Sequence, residues 1–535
     1  MIAAAANLGW LAWNAGARQK FSQQLRSPEE TQQAILTRLL SQHAATAFGQ
    51  AHGFASIRSA ADYRRQVPLA DYEILEPWIQ RIKRGEENIL TAERVTHFVP
   101  TSGSSGARKL IPFTTSLQRE FNAAINPWVA DIFSDNHAAF FGPAYWSISP
   151  ALPNRETEAS AIPVGFDDDT DYLGGASHRL INAAMAVPSS LRHVTNPDHF
   201  FLLTLYCLLR CRDLRLISVW HPSFLALLLD RLPSAWPQLV EIIQNGRLPA
   251  NWDLPAGVER DLRLTPQPNH ARQLSTLAPH DYSRLWPQLQ VISCWADANA
   301  AAGAADLEKR LPGVTVQPKG LLATEAFVTL PFYGRHPLAV GSHYFEFLDE
   351  RGDFMPLAAL TEGQTCEIVV TTGGGLWRYR LGDLMVVNGR IGRTPSLRFV
   401  GRTGRISDLR GEKLSDAFVG RVLPTLWAGD RAPNFALLAP NDDPAAPGYT
   451  LFVSENTFPS LAERLDAALS ANPHYAWCRQ IGQLHPARVF VVSEEAGAVY
   501  LRRMTSLGQK PGNVKLPSLA LTSGWAAHFS GRNAD

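Results

Sequence analysis

Apolar residues in the first part of the chain are spaced as in helices. Residues 2–17 (IAAAANLGWLAWNAGA) form an uncharged, largely apolar run, which we interpret as one packed helix. Residues 28–45 (PEETQQAILTRLLSQHAA) predict a second helix. Ser27 suits its N-cap, Pro28 its first turn, and Glu30 completes a capping-box pattern. The pattern therefore predicts two helices ahead of any strand.

Further along, apolar runs of helical length alternate with connections rich in proline and tryptophan. These runs lie at residues 199–209, 223–230, 235–245 and 304–311. From Leu289 onward the pattern changes to short runs typical of strands, namely LQVISCW, TVQPKGLL, AFVTLPFY, HYFEFLD and CEIVVTT. Mixed helices and strands of this kind predict a large α/β core.

The last part of the chain has its own order of elements. The runs DAFVGRVLPTLW and SLAERLDAALSA are typical of helices, whereas NFALLAP, YTLFVSE and ARVFVVSE are typical of strands. This order predicts a compact, lid-like α+β domain. At 535 residues the chain is also long enough for two or more domains.

Composition and charge exclude several classes of function. A net charge of +1 gives no electrostatic footprint for nucleic acid or an anionic membrane. Residues 2–17 are shorter than the ~20 apolar residues of a membrane span, and Arg18 and Lys20 follow the run, unlike the basic residues of a signal peptide. Five cysteines, among them Cys207 and Cys211 in an apolar helix-like run, show no zinc spacing. We expect a cytoplasmic monomer that binds neither nucleic acid nor membrane.

The loop VPTSGSSGARKLIPFT is the first candidate for chemistry. Its closely spaced Ser, Thr and Gly residues offer backbone N–H groups and hydroxyls that can surround phosphate oxygens. It follows RVTHFV, a run typical of a strand, and open α/β sheets commonly bind ligands at strand ends. A Walker loop does not fit, because two residues rather than four separate Gly103 from Gly106, and Ala107 breaks a nucleophile elbow. Phosphate binding and a flexible surface loop both fit these residues.

Two downstream stretches agree with a nucleotide site. GLLATEAF (residues 320–327) and GGLWRYRLGDLMVV (residues 374–387) follow in the order expected of an adenylate-forming enzyme. With them, the sequence closely resembles the acyl-acid amido synthetases, the plant auxin- and jasmonate-conjugating enzymes and their bacterial relatives, within the wider acyl-adenylate-forming superfamily. The resemblance begins at VPLADYEILEPWIQRIKRGEENILT (residues 67–91), includes RFVGRTGRISDLRGEKLSDAFV (residues 398–419) and ends at GQKPGNVKLP (residues 508–517).

The resemblance implies an α/β fold with a mobile second part. A large N-terminal adenylation domain, residues 1–402, would combine helix-flanked β-sheets with a β-barrel-like part and carry the ATP and acyl sites. Residues 403–408 would form a hinge, because Gly404 can absorb a change of backbone conformation. Residues 409–535 would form a small, mobile C-terminal α+β lid domain.

The resemblance also implies which residues bind the phosphates of ATP. The loop residues that would surround the β- and γ-phosphates, or shape the turn, are Thr101, Ser102, Gly103, Ser104, Ser105 and Gly106. Lys109, which follows the loop, would pair with phosphate. Glu325 would hold Mg²⁺ against the phosphates, and Thr324 beside it would touch the nucleotide or the acyl phosphate.

Four further positions follow from the same resemblance. Asp383 would accept hydrogen bonds from both ribose hydroxyls, and Tyr379 would lie along the adenine or ribose, with core packing as the alternative. Arg402 resembles the ribose-and-phosphate arginine of the superfamily. Lys515 would be the mobile-domain lysine that meets the acyl-adenylate phosphate, although the QKPGNVK spacing permits Lys510 equally.

The implied function is that of an ATP- and Mg²⁺-dependent acyl-acid amido synthetase. It would adenylate a small carboxylic acid, release pyrophosphate, and transfer the acyl group to an amine, with an amino acid as the expected acceptor. Two alternatives stay open: a ligase with the thiol of coenzyme A as acceptor, and a non-catalytic nucleotide-binding relative. Residues 140–148 and the region around Trp220 are candidates for the acyl pocket, with core packing again as the alternative.

Overall fold

The structure of the protein is a computed structural model. It describes residues 2–100, 109–148, 160–165, 182–249, 252, 254–255, 257–298, 300–404, 406–410, 412–427, 432–443, 446–455, 457–480, 482–507, 509 and 514–534. The predicted phosphate-binding residues 101–106 and Lys510 lie outside the described residues.

Helices occupy most of residues 2–83. They are α1 (Ile2–Trp13), α2 (Ala15–Gln24), α3 (Pro28–His43), α4 (Ala47–Ala51), α5 (Ala60–Gln66) and α6 (Tyr72–Lys83). The prediction of a single helix over residues 2–17 was wrong, because the chain breaks at Asn14. Asn14 has a φ of −105° and a ψ of 11°, outside the helical region, and its side-chain amide donates to the carbonyl of Trp10 (2.8 Å).

Helix α3 begins at Pro28 as predicted, but its cap differs from the predicted capping box. Ser27 occupies the N-cap position without a side-chain capping hydrogen bond, since its ψ is 62°. Ser59, which caps α5 through its side chain, has the extended ψ of 162° that a capping hydroxyl requires. The Ser27 carbonyl instead accepts hydrogen bonds from the backbone N–H of Thr31 (3.1 Å) and from its hydroxyl (2.9 Å).

A four-stranded parallel sheet forms the middle of the molecule. Its strands run side by side in chain order: β3 (Ala144–Trp146), β4 (Leu216–Ser218), β5 (Val291–Trp295) and β6 (Thr315–Lys319). An antiparallel pair, β1 (His97–Pro100) and β2 (Leu110–Phe113), precedes it and flanks the predicted phosphate-binding loop.

Helices cover both faces of the parallel sheet. They are α7 (Thr115–Asp135), α8 (Pro197–Arg210), α9 (Pro222–Asn245), α10 (Val258–Leu262), α11 (Pro268–Leu274), α12 (Tyr282–Leu285) and α13 (Ala300–Arg310). Ala144, Leu216 and Val291 pack with α7 on one face. Their strand neighbours Ile217 and Ile292 pack with α8 and α9 on the other. A sheet buried on both faces needs the continuous apolar strands that the sequence shows, and the predicted α/β class is confirmed.

One long helix replaces two predicted pieces. The sequence predicts separate helices at residues 223–230 and 235–245, whereas α9 runs unbroken from Pro222 to Asn245. Pro233 and Pro237 lie inside it. A proline removes a helical hydrogen bond, but Leu232 and Leu239 are buried on either side of the interruption, and their packing favours a single helix.

A five-stranded antiparallel sheet follows the parallel sheet. Its order is β11 (Thr394–Arg402), β10 (Tyr379–Ile391), β9 (Thr365–Thr371), β7 (Tyr344–Leu348) and β8 (Phe354–Met355). The run AFVTLPFY, predicted as a strand, makes only isolated bridges such as those of Phe327 with Leu322 and Thr329 with Leu338.

The C-terminal part has the predicted α+β composition. Its strands are β12 (Ile406–Ser407), β13 (Leu414–Ser415), β14 (Ala436–Pro440), β15 (Tyr449–Ser454), β16 (Arg488–Val492) and β17 (Gly531–Ala534). Its helices are α14 (Asp416–Val422), α15 (Leu461–Leu469), α16 (Pro473–Gln480) and α17 (Ala496–Ser506). Strands β14 to β17 form one sheet, in which only β15 and β16 are parallel. The sequence predicts α14, α15 and β14 to β16, and it misses α16, α17 and β17.

Candidate active site

The candidate site lies where the parallel sheet meets the antiparallel sheet. Strand β5 ends at Trp295, and Asp297 just beyond it accepts a hydrogen bond from the backbone N–H of Phe399 in β11 (3.0 Å). The rings of Trp295 and Phe399 also meet edge to face, with centroids 5.5 Å apart. These contacts join the carboxyl edge of the parallel sheet, where open α/β sheets bind ligands, to β10 and β11.

An ion pair between neighbouring strands lies at this junction. Asp383 in β10 is opposite Arg402 in β11, and Arg402 Nε donates to Asp383 Oδ1 at 2.6 Å. Asp383 is only 2% exposed, and its negative charge raises the pKa of Arg402. The second carboxylate oxygen, Oδ2, is buried and accepts no hydrogen bond from any described residue. Because a buried acceptor without a donor is destabilising, this oxygen suits a ligand that carries hydroxyl groups.

The strand that carries Asp383 contains a bulge just before this residue. The register between β10 and β9 shifts between Arg380 and Leu384, which marks a bulge in this part of the sheet. Gly382 has a φ of 73°, a left-handed conformation that favours glycine. Its carbonyl accepts a hydrogen bond from the backbone N–H of Thr403 (2.6 Å). The motif YRLGD therefore places its glycine where the strand must bend.

Glu325 lies in a tight turn beyond the end of β6. The turn is closed by a hydrogen bond from the backbone N–H of Ala323 to the carbonyl of Ala326 (2.9 Å). Thr324 and Glu325 lie between these two residues, and both are partly buried. The hydrogen bond between Ala323 and Ala326 thus fixes the backbone position of Glu325.

Opposite charges surround Glu325. Burial raises the pKa of its carboxyl group, and the nearby negative charge of Asp383 acts in the same direction. The positive charges of Arg402 and Lys109 oppose this shift. Four residues from four separate stretches of the sequence therefore interact electrostatically at the junction of the two sheets, which we call the cleft.

Lys109 is held by helix α6. Its Nζ lies 3.6 Å from Glu73 Oε1 and 5.5 Å from the centre of the Tyr72 ring. The Tyr72 hydroxyl accepts a hydrogen bond from the backbone N–H of Leu110 (3.0 Å), which fixes the start of β2. The end of the predicted phosphate-binding loop is thus attached to α6 on the side of the cleft.

Tyr379 starts β10 and is almost fully buried. Its backbone forms a parallel bridge with Ala70, next to the start of α6. Burial raises the pKa of its hydroxyl, and so do the negative charges of Glu325 and Glu73. Its burial fits the core-packing alternative, while its closeness to Glu325 places it beside the predicted nucleotide residues.

Lys515 reaches the same cleft from the C-terminal part of the chain. Its Nζ lies 5.1 Å from the centre of the Trp295 ring. Desolvation lowers the pKa of its ammonium group, and Arg402 acts in the same direction. Asp383 and Glu325 oppose the shift, so Lys515 interacts with both carboxylates of the cleft.

The donor chemistry at Glu325 fits a magnesium ion that is also bound by phosphate. Among the described residues, no group of three or more His, Cys, Asp and Glu side chains is arranged to hold a metal. Magnesium is commonly bound by one or two carboxylates, with substrate phosphates and water as its other ligands. A single partly buried glutamate that interacts electrostatically with Lys109 meets that requirement.

Comparison with known proteins agrees with this geometry. The family model described as the GH3 family N-terminal domain matches residues 17–316, which is more than half of the chain. The GH3 family central domain matches residues 336–402, and the GH3 family C-terminal domain matches residues 428–523. The chain belongs to the GH3 family.

Curated GH3 relatives share about a quarter of their residues with this chain. A protein from Oryza sativa subsp. japonica named "Probable indole-3-acetic acid-amido synthetase GH3.12" is 24% identical, over 93% of this chain and 92% of the relative. "4-substituted benzoates-glutamate ligase GH3.12" from Arabidopsis thaliana is also 24% identical, over 66% of this chain and 65% of the relative.

A solved GH3 structure has the same fold. "GH3.15 acyl acid amido synthetase" superposes with a TM-score of 0.82, at 19% identity and over 96% of both chains. The large N-terminal part and the smaller C-terminal part of this GH3 chain therefore follow the architecture of its relative. In the part of the chain that the structure describes, every helix is too short or too polar to cross a membrane.

Sequence reasoning missed four residues that surround the site of this GH3 protein. Tyr72 and Glu73 lie in the stretch at residues 67–91 that carries the resemblance, but no spacing in it indicates contact with Lys109. Trp295 ends an apolar strand, and its sequence context indicates only that strand. His221 is partly buried, and desolvation and the charge of Lys515 lower its pKa to about 4. Only the folded chain brings these residues to the cleft.

Two other polar residues in the motifs have structural roles. Arg380 joins β10 to β9 by donating from Nε to Glu367 Oε1 (2.9 Å) and from Nη2 to Glu367 Oε2 (2.6 Å), as the sequence suggested for a residue bracing the strand. Glu412 is fully buried and accepts hydrogen bonds from the backbone N–H groups of Leu409 and Arg410 (both 2.7 Å) and from the Tyr449 hydroxyl. It stabilises the β12–β13 hairpin beyond the predicted hinge.

Proposed function

We propose that this GH3 protein is an ATP-dependent acyl-acid amido synthetase that joins a small carboxylic acid to an amino acid. The observation that carries the proposal is the buried Asp383 Oδ2, which lacks a hydrogen-bond donor among the described residues. It lies in a cleft with Glu325, Arg402 and Lys515, whose charges interact. The relatives named amido synthetases and a glutamate ligase support the same class of reaction.

In the first step, a carboxylate oxygen of the acid attacks the α-phosphorus of ATP. A bond forms between this oxygen and phosphorus, the bond to the β-phosphate oxygen breaks, and pyrophosphate leaves. Asp383 Oδ2 accepts hydrogen bonds from the ribose hydroxyls, and Tyr379 lies along the nucleoside. Arg402 and Lys515 stabilise the negative charge that spreads over the α-phosphate in the transition state.

The leaving pyrophosphate is held on the other side of the cleft. We assign its binding to the backbone and hydroxyl donors of residues 101–106 and to the ammonium of Lys109. Glu325 would hold Mg²⁺ there, where the ion supplies neutralisation of the phosphate charge. Thr324 lies beside Glu325 and touches the nucleotide or the acyl phosphate.

In the second step, the amine nitrogen of the acceptor attacks the acyl carbon of the acyl-adenylate. The carbon–nitrogen bond forms, the bond from the acyl carbon to the AMP oxygen breaks, AMP leaves, and the nitrogen loses a proton to water. We propose that residues 409–535 rotate about residues 403–408 between the two steps, as the left-handed Gly404 (φ of 76°) allows. Lys510 is the alternative to Lys515 as the lysine that this rotation moves.

The proposal is tested with the purified full chain, ATP, Mg²⁺ and panels of aryl and aliphatic acids. Pyrophosphate release is measured for each acid alone, with a mixture of amino acids, and with coenzyme A, and products are identified by mass spectrometry. We expect acid-dependent pyrophosphate release and an acyl-amino acid amide. Acyl-coenzyme A formed in place of an amide would replace the acceptor in the proposal, and ATP binding without release by any acid would reject catalysis.

A further inference from the structure

A lysine outside the predicted nucleotide site lies at the end of β6. Lys319 Nζ donates a hydrogen bond to the Ser218 hydroxyl at 2.8 Å. It also lies 4.8 Å from the centre of the Trp220 ring and 5.7 Å from that of the Trp128 ring. The ammonium group therefore has one hydroxyl acceptor and two aromatic rings around it.

The surroundings of Lys319 are fixed by buried polar contacts. The Trp128 indole Nε1 donates to Gln317 Oε1 at 2.9 Å, and the Ser293 hydroxyl donates to the same oxygen at 3.2 Å. Ser218 and Ser293 are paired in adjacent strands and are both buried. The ring and the hydroxyl that contact Lys319 thus belong to the packed sheet and to α7, rather than to a surface loop.

Among the residues that the structure describes, no carboxylate balances the charge of Lys319. No carboxylate of the described residues makes an ion pair with its ammonium, although the group is only partly exposed. Burial lowers the pKa of Lys319 to about 7, and the one titratable neighbour that opposes the shift is Cys294. An ammonium has three donors, and an anion placed beside this one would both accept a hydrogen bond and restore its pKa.

Lys319 is next to the reacting cleft. In the parallel sheet it is paired with Trp295, whose ring contacts Lys515. The backbone N–H of Trp295 donates to the carbonyl of Trp220 (2.9 Å), so the two tryptophans are also linked. A ligand that extends from the cleft along this edge of the sheet reaches Lys319 one strand away.

We propose that Lys319 binds a substrate carboxylate other than the one that is adenylated. This inference rests on the proposed function and names a specificity determinant of the same site. Lys319 and Ser218 supply the polar contacts, and Trp128 and Trp220 flank the apolar body that carries the anion. The carboxylate has two possible sources, which are a second carboxylate on the acid and the α-carboxylate of the acceptor amino acid.

Matched substrates distinguish the sources. For the acid, pyrophosphate release is measured with benzoate against terephthalate and with hexanoate against adipate. For the acceptor, amide formation is measured with alanine against alaninamide and with phenylalanine against phenylalaninamide. Each pair is compared in the wild-type protein, in Lys319→Gln, and in Lys309→Gln, which removes an exposed lysine of α13 as a control.

We expect Lys319→Gln to lower kcat/KM about 10-fold or more for the member of one pair with the extra carboxylate, since one charge-assisted hydrogen bond is lost. The uncharged member should change little, Lys319→Arg should recover part of the loss, and Lys309→Gln should behave as wild type. An effect in the acid pairs or in the acceptor pairs supports the proposal and identifies the source. Equal effects on both members of every pair, or no effect, overturn it.

Protection from chemical modification tests the proposal without a variant. Lys319 and Lys309 are reductively methylated in the wild-type protein, and the rates are followed by peptide mass spectrometry. Terephthalate, adipate, alanine or phenylalanine should slow modification of Lys319 more than the partner that lacks the extra carboxylate, with Lys309 unchanged. Equal rates with both members of every pair overturn the proposal, even if Lys319→Gln does not fold.

Absence of pyrophosphate release in the wild type would instead reject the proposed function, and this binding measurement would still decide the role of Lys319.

Discussion

Two arginine–carboxylate pairs each have one member on strand β10, and they differ in how completely their oxygens are hydrogen-bonded. Arg380 donates to both oxygens of Glu367, so this pair satisfies itself and joins β10 to β9. Arg402 donates to one oxygen of Asp383, and the other oxygen is buried without a donor among the described residues. An ion pair in which both carboxylate oxygens accept hydrogen bonds stabilises the sheet. An ion pair that leaves one buried oxygen without a donor can accept a hydrogen bond from a ligand.

The difference has a local cause. The bulge at Gly382 lies between Arg380 and Asp383 in β10. Because of it, the pairing register of β10 with β9 differs on the two sides of the bulge. Asp383 then faces the junction of the two sheets, where Glu325 and Lys515 also lie. The Glu367 carboxylate thus joins two strands of the sheet, whereas the Asp383 carboxylate has an oxygen available in the cleft.

Asp383→Asn should have the largest effect on activity. Loss of two charge-assisted hydrogen bonds to the ribose should lower kcat/KM for ATP by about 100- to 1,000-fold. Glu367→Gln is the matched control, and it should leave kcat/KM within about threefold of wild type while lowering the free energy of unfolding by about 1–2 kcal/mol. Steady-state kinetics and urea denaturation measure both quantities. Similar kinetic losses in the two variants would remove the distinction between the pairs.

Lys515→Ala should lower kcat for pyrophosphate release by about 100-fold, because one positive charge is lost from the transition state. Lys510→Ala, measured beside it, distinguishes the two candidate lysines. Because the pKa of Lys515 is lowered, its charge is lost at a lower pH than for an ordinary lysine, and activity should fall early on the alkaline side. Lys515→Arg should move this alkaline limb to higher pH. If activity declines at the same alkaline pH in the wild type and in Lys515→Arg, a group other than Lys515 causes the decline.

Glu325→Gln should reduce activity by about 10- to 50-fold at low Mg²⁺ and less at saturating Mg²⁺, because a neutral amide binds the ion weakly. The raised pKa of Glu325 means that the carboxylate is protonated at a higher pH than usual. Wild-type activity should therefore decline early as the pH falls, and the variant should lack this acid limb. Mg²⁺ titrations across the pH range measure both effects. An unchanged Mg²⁺ requirement would exclude Glu325 as a ligand.

Lys109→Ala should have the smallest effect, a rise in KM for ATP of about 10-fold, because Glu73 already shares its charge. Lys20→Ala, which removes an exposed lysine of α2, should leave KM unchanged. Glu73→Gln frees Lys109 and should not raise KM. If Lys109→Ala binds ATP as wild type does, Lys109 has no contact with phosphate.

Local patterns predicted the elements and the family, but not how the site is completed. Alternating apolar strands and helices were enough to predict the α/β class, and three short motifs indicated Glu325, Asp383 and Arg402. The unpaired oxygen of Asp383 depends on a bulge, which the sequence YRLGD marks only by its glycine. The contact of Lys515 with Trp295 joins residues more than 200 positions apart, and no local pattern indicates it.

The errors in the predicted elements also have physical causes. Two prolines suggested a break in α9, but buried leucines on both sides of them favour one helix. A single apolar run suggested one N-terminal helix, but the backbone leaves the helical conformation at Asn14 within that run. No local pattern marks Lys319, because the two aromatic rings that lie near its ammonium, those of Trp128 and Trp220, come from distant parts of the sequence.

The most direct test of the account is the exchange of labelled pyrophosphate into ATP without any amine present. It measures reversible adenylation alone, and it is made with the wild type, Asp383→Asn and Glu367→Gln in the presence and absence of the acids that support pyrophosphate release. The account predicts exchange only when acid is added, at similar rates in the wild type and Glu367→Gln, and almost none in Asp383→Asn. Exchange that is independent of acid, or that proceeds in Asp383→Asn at the wild-type rate, would contradict it.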